Sequence, residues 1–167
     1  FTSGACRASD ADLNRLLDDL INTFNYDPGT FGNVTDNLDG LKIFGKLNYN
    51  INKNNYLTLR HQYTKGEQSD REEGSSNTIN FSNNGVFFPT TTNSTALELN
   101  SLFGSAYSNN LILSYVTVRD DRDPLGGDFP YVIIDDENSG QIELGSEQFS
   151  TANGLDQNIF SITNNFN

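Results

Sequence analysis

Between Leu41 and Ile51 every second residue is apolar or small: Leu41, Ile43, Gly45, Leu47, Tyr49 and Ile51. The residues between them, Lys42, Phe44, Lys46, Asn48 and Asn50, are mostly charged or amide. Successive side chains of a strand point to opposite faces, so this spacing predicts a strand with one apolar and one wet face. Asn52-Lys53-Asn54-Asn55 predicts a tight turn, because Asn bonds its own main chain. The return strand sets Leu57, Leu59, His61 and Tyr63 against Tyr56, Thr58, Arg60, Gln62 and Thr64. The result is a predicted hairpin over residues 41–66.

A second hairpin is predicted over residues 95–119. Leu97, Leu99, Ser101 and Phe103 alternate with Glu98, Asn100, Leu102 and Gly104. After a turn at 105–109, Leu111, Leu113, Tyr115 and Thr117 alternate with Ile112, Ser114, Val116 and Val118. This last strand is apolar on both faces, so alternation alone does not say which face looks outward. Asp156–Phe166, within residues 155–167, predicts a fifth main strand, and Tyr131–Ile134 a short one. The period changes near the start of the chain. Leu13, Leu16, Leu17, Leu20, Ile21 and Phe24 form the stripe of an amphipathic helix over about 9–24, with Ser9 as its cap and Asp12 as the capping-box partner. Asp27-Pro28-Gly29 then predicts a turn.

The connections alternate in length: short at 52–55, long at 67–94, short at 105–109, long at 120–154. Long loops are uncommon in compact soluble domains, whereas outer-membrane barrels pair tight periplasmic turns with large extracellular loops. The expected fold is therefore all-β: an antiparallel meander forming part of a large transmembrane β-barrel. Residues 1–40 would be an extracellular loop carrying the helix, and 67–94 and the acidic 120–154 two further loops. Tyr49, Tyr56, Phe103 and Tyr107 sit at strand ends and are expected to form an aromatic girdle. Lys42, Lys46, Arg60, Gln62, Glu98 and Asn100 share the polar faces and are the candidate lumen-facing residues. Five strands do not close a barrel, and an open edge in lipid leaves main-chain groups without partners. The strands are thus expected to belong to a longer chain. The alternative is a secreted or surface β-sandwich binding a glycan or a protein, whose apolar faces would be core.

Composition fits either architecture. Only 35% of the 167 residues are hydrophobic, too few for a thick dry core and in keeping with strands wet on one side. The net charge of −12 removes nucleic acid as a partner, since no basic stripe exists to displace counterions. Nine of the 22 acidic residues lie between Asp120 and Glu147, a local acidic surface.

No catalytic constellation stands out, and the chain is expected not to be an enzyme and to need no cofactor. His61 is the sole histidine and Cys6 the sole cysteine, so neither a metal site nor an internal disulfide is expected. An interfacial position or a local hydrogen bond is the expectation for His61. The Asp120–Asp128 loop offers hard oxygens of the kind Ca²⁺ takes, yet it lacks the EF-hand spacing, as does Asp10-Ala11-Asp12-Leu13-Asn14. The neighbouring acids Asp135-Asp136-Glu137 and Glu72-Glu73 are adjacent in sequence rather than opposed across a substrate. Three glycosylation triplets, at Asn33, Asn80 and Asn93, are expected by chance in so Asn-rich a chain.

Tyr26-Asp27-Pro28-Gly29, then Gly40-Leu41-Lys42-Ile43-Phe44-Gly45-Lys46-Leu47-Asn48-Tyr49-Asn50-Ile51-Asn52, then Leu57-Thr58-Leu59-Arg60-His61 resemble the barrel of Oar-like TonB-dependent outer-membrane receptors. The resemblance covers residues 9–64 best. It implies a barrel of about twenty-two strands in the outer membrane of a Gram-negative bacterium, plugged by a separate domain. Active solute uptake by the parent protein, driven by the TonB complex, follows from it. The expected partners are the remaining barrel and plug, membrane lipid, TonB through the parent, and a surface lipoprotein at the loops.

Overall fold

A computed structural model describes residues 8–135, 140–151 and 153–167. Cys6, Asp136 and Glu137 lie outside them. The described elements are α1 (Asp10–Phe24), β1 (Leu38–Asn52), β2 (Asn55–Arg71), β3 (Thr78–Asn80), β4 (Gly85–Phe103), β5 (Tyr107–Asp121), β6 (Asp123–Pro124), β7 (Val132–Asp135), β8 (Gln141–Leu144) and β9 (Gly154–Phe166). The chain is mostly antiparallel β-sheet with one short helix, and it divides into two units.

One unit comprises Asp39–Gly66, Pro89–Asp121 and Gly154–Asn167. Its sheet runs β1-β2-β4-β5-β9, a meander in which each long strand lies beside the one before it. The sheet is open: among the described residues β1 and β9 are edges and do not pair with each other. A closed barrel is not what these strands form.

Local chemistry explains the two tight connections. In the first, the Asn54 N–H and the Asn55 side-chain amide donate to Asn52 Oδ1 at 2.9 and 3.0 Å, so one asparagine holds the whole turn. In the second, Phe103 pairs with Tyr107, and the bend falls on Gly104, whose φ of +70° other residues adopt reluctantly. The strands are longer than alternation predicts. β2 continues to Arg71 and β4 starts at Gly85, so the expected loop 67–94 shrinks from both sides. Pro89 falls between the β4–β6 ladder, which ends at Phe87, and the β4–β5 ladder, which begins at Thr90. There its missing N–H costs no ladder bond.

The other unit comprises the described residues up to Leu38, with Glu67–Phe88 and Arg122–Asn153. Helix α1 starts with the predicted capping box: Asp12 N–H donates to Ser9 Oγ, and Ser9 N–H returns to Asp12 Oδ2. It stops at Asn25 in the left-handed region (φ 52°), where Asn25 N–H reaches Ile21 O and Tyr26 N–H reaches Leu20 O. Leu13 and Leu20 are buried, but Ile21 and Phe24 of the predicted stripe stay exposed. The core joins Leu13, Leu20 and Tyr26 to Phe81, Ile142 and Leu144. Tyr26 also stacks on Phe129 at 3.9 Å.

The small sheet β3-β8-β7 closes this core, with β3 parallel and β7 antiparallel to β8. Within the expected loop 120–154, Val132–Asp135 and Gln141–Leu144 are therefore sheet, the first of them overlapping the short strand expected at Tyr131–Ile134. The Asp27-Pro28-Gly29 turn is clamped by Ser82 and Asn83. Ser82 N–H donates to Thr30 O at 2.7 Å, Thr30 N–H to Ser82 Oγ at 2.9 Å, and Asn83 N–H to Pro28 O at 3.0 Å. Gly29 (φ +84°) has no room for a Cβ against Ser82 Oγ, so only glycine serves there.

Candidate functional site

Chemistry in the five-stranded sheet is divided between its faces, and the ladders fix which residue belongs to which. On the polar face, Thr58 Oγ1 donates to Asn48 Oδ1 at 3.1 Å, so even positions of β1 and β2 share that side. Arg60 Nη2 lies 3.5 Å from Glu98 Oε2, which puts the even positions of β4 there too. Glu98 Oε1 accepts from the side-chain amides of Asn100 (3.1 Å) and Asn110 (2.8 Å), and Asn110 also donates to Asn100 Oδ1 at 2.8 Å. Arg60, Glu98, Asn100 and Asn110 thus form one network across three strands. The Arg60 and Glu98 side chains are 42% and 24% exposed, and a pair that wet contributes about 1 kcal/mol or less. The network is a surface chemistry more than a stabilising device.

Of the six predicted polar-face residues, Arg60, Glu98 and Asn100 come together. Lys42 and Lys46 share the face through their parity with Asn48. Gln62 donates to Thr64 Oγ1 within its own strand. Asn110 was not expected. It reaches the network because the β4–β5 register sets it opposite Asn100, and nothing in its own neighbourhood signals that.

The other face is apolar and uncovered. Leu41, Ile43, Leu47, Tyr49 and Ile51 of β1 are all exposed, Leu47 by 70%. His61 Nδ1 meets Thr95 Oγ1 at 2.9 Å, the local bond expected for it, which brings the odd positions of β2 and β4 to this side. The ladders then align Leu97, Leu113 and Ile162 in one row and Thr95, Tyr115 and Phe160 in the next. This settles the doubly apolar strand: Leu111, Leu113 and Tyr115 continue the apolar face. Asn109 and Asn164 interrupt the row pattern near one end.

Aromatic rings bound the apolar face at both ends. At the turn end Phe166 lies 6.3 Å from Phe103 and 5.9 Å from Tyr107. At the opposite end Tyr115 pairs with Phe160. Beyond that row the face turns polar: Arg119 Nη1 is 3.0 Å from Asp156 Oδ1, and Arg119 Nη2 donates to Asn158 Oδ1 at 2.9 Å. Tyr107 to Tyr115 spans eight residues, about 26 Å along the strand at ~3.3 Å per residue. Of the predicted girdle, Tyr49, Phe103 and Tyr107 are on this face. Tyr56 is not: it shares the polar face with Thr58 and Arg60, because it is an even member of β2. Phe160, Phe166 and Tyr115 complete the rims, and only the register reveals them.

The acidic stretches find structural duties. Asp10 and Asp12 occupy the first turn of α1. Hydrogen bonds from the Ser9 hydroxyl and N–H hold the Asp12 carboxyl below the usual carboxylate range. Among the described residues no group of three His, Cys, Asp or Glu side chains converges on a metal position, and no helix is long and apolar enough to cross a membrane. Comparison of the chain with protein-family models, with curated proteins and with solved structures returns no match.

Proposed function

We propose that this chain is a wall segment of an outer-membrane TonB-dependent receptor, whose parent protein takes up a solute by active transport. The observation that carries this reading is the apolar face that crosses five strands, interrupted near one end by Asn109 and Asn164 and rimmed by aromatic rings, backed by a polar network on the opposite face. Such a face in contact with water is unfavourable at about 25 cal/mol per Å², and lipid is the solvent that removes that cost. A soluble sandwich would bury it under a second sheet, which the 70% exposure of Leu47 and the 64% exposure of Ile162 count against. The open edges β1 and β9 ask for further strands on both sides, since each unpaired main-chain group in hydrocarbon costs several kcal/mol.

In this reading Arg60, Glu98, Asn100 and Asn110 line the lumen with Lys42, Lys46 and Gln62, where they meet the plug and the passing solute. The unit built around α1 stands outside the membrane as an ordered loop assembly. There it meets solute or a surface lipoprotein. Energy from the TonB complex acts on the plug, not on these residues. The intact mass of the native polypeptide, measured in a detergent extract of its source membrane, tests the reading. A parent several times heavier than the 18.5 kDa of this chain is expected. A detergent-independent species of 18.5 kDa would overturn it.

A further inference from the structure

Within the unit that holds α1, a pocket of about 130 Å³ is lined by Glu72, Asn84, Tyr131, Glu143, Glu147 and Phe149. Asn84 is completely buried. Its main chain is fully used, with its N–H on Phe81 O and its carbonyl accepting from Glu72 N–H. Its side-chain Oδ1 and Nδ2 have no partner. A buried amide with both ends unmet is costly, and native proteins tolerate it mainly where something else fills the bond.

The charged residues that line the pocket are all acidic. Glu147 is nearly buried, with Oε1 accepting from Phe149 N–H at 2.7 Å and Oε2 from Ser150 N–H. It shapes the 147–151 loop and forms part of the pocket wall. Tyr131 donates its hydroxyl to Glu143 Oε2 at 2.7 Å. Burial, that hydrogen bond, and the charges of Glu143, Glu72 and Glu147 push the Tyr131 hydroxyl up to about 12, so it remains a neutral donor. Glu72 and the ring of Phe149, 78% exposed, stand at the mouth. No Lys or Arg lines the pocket.

A bare metal ion is a poor match, because the carboxylates do not converge on one position and the space exceeds what an ion needs. An organic cation matches better. Its N–H groups would meet the free lone pairs of Glu143 and Asn84 Oδ1, and its flat side would lie on Phe149. The orphan Asn84 Nδ2 would take an acceptor carried beside the cation, such as a peptide carbonyl. We propose that the pocket between β8 and the 147–151 loop binds the cationic side chain of a basic peptide, arginine above all. Every lining residue lies in the α1 unit, so the inference stands apart from the membrane reading.

Saturation-transfer NMR on the native polypeptide tests it, with N-acetyl-arginine methylamide as ligand and the citrulline analogue as its neutral isostere. Arginine is expected to bind at least ten times more tightly than citrulline. Glu143→Gln keeps an acceptor for Tyr131 but removes the charge, and should weaken arginine binding about fivefold. Glu72→Gln, at an exposed position that carries no fold, should weaken it in the same direction. Equal binding of the two ligands would overturn the proposal. So would an affinity unchanged in both variants, no binding at all, or displacement of arginine by millimolar CaCl₂ in a manner that shows the pocket to be a metal site.

Discussion

In the proposed membrane setting, Leu113→Arg is expected to destabilise the protein by about 2 kcal/mol, between the midplane and interface penalties for a cation on a lipid-facing strand position. Leu113 lies between Leu97 and Ile162 in the most apolar row of the sheet, six residues from the Tyr107 rim and two from the Tyr115 rim. Ser114→Arg, one residue further along the same strand, points to the face of Glu98 and Asn110 and should cost no more than ~0.5 kcal/mol. Urea unfolding in lipid vesicles, comparing the two variants in the full-length polypeptide, reads the difference. The contrast is what matters, because a one-residue step reverses the face while strand, propensity and pairing stay the same. Equal losses for the two variants would mean that the two faces see the same solvent.

The second large effect belongs to the other unit. Phe81 is fully buried at the centre of a small core, with Phe31 against it edge-on at 5.8 Å. Phe81→Ala removes a whole ring that α1, β3 and β8 pack around, and should cost about 3–5 kcal/mol. That is a large part of the 5–15 kcal/mol typical of a whole domain, so the unit should open. Hydrogen exchange provides the readout. The amides of β8 and the C-terminal half of α1 should lose protection, while those of the β5–β9 ladder keep theirs. Uniform loss in both units would contradict the separate core.

The sequence made β1 and β2 legible because each has one apolar and one polar face, and turn chemistry at Asn52 fixed where they meet. It left β5 ambiguous for the opposite reason: Leu111, Ile112, Leu113 and Val116 are apolar regardless of parity. Only pairing with Leu97 and Ile162 decided its orientation. Helix α1 announced itself through Ser9, Asp12 and the leucine spacing. Its outer residues Ile21 and Phe24 were over-read, since periodicity marks a stripe but not where its cover ends. The loop 67–94 is shorter than alternation suggests because β2 keeps pairing through polar residues such as Ser69, whose N–H meets Asn37 O. Past the apolar band, alternation no longer has to be hydrophobic.

The parallel pairing of Thr78–Asn80 with Gln141–Glu143 was out of reach for local patterns. Each segment is three or four residues long, and they are separated by some sixty positions. The pocket that β8 borders was hidden with it. Glu72, Glu143 and Glu147 looked like ordinary members of an acidic chain, and Asn84 like one of many asparagines. Their significance is positional. The polar-face network shows the same limit, since Glu98 and Asn100 could be named from alternation but Asn110 required a register.

In the proposed setting the apolar face meets lipid and the polar face meets water. Nitroxide labels placed singly at Lys46, Leu47, Leu113, Ser114, Ser161 and Ile162, in a Cys6→Ser background, test it most directly in the full-length polypeptide reconstituted in vesicles. Accessibility to oxygen, which concentrates in the bilayer, and to a water-soluble nickel chelate would be compared at each site. The prediction is strict alternation: Leu47, Leu113 and Ile162 accessible to oxygen and shielded from nickel, their neighbours the reverse. Nickel access on both faces, or oxygen access on the face of Lys46, Ser114 and Ser161, would contradict the account.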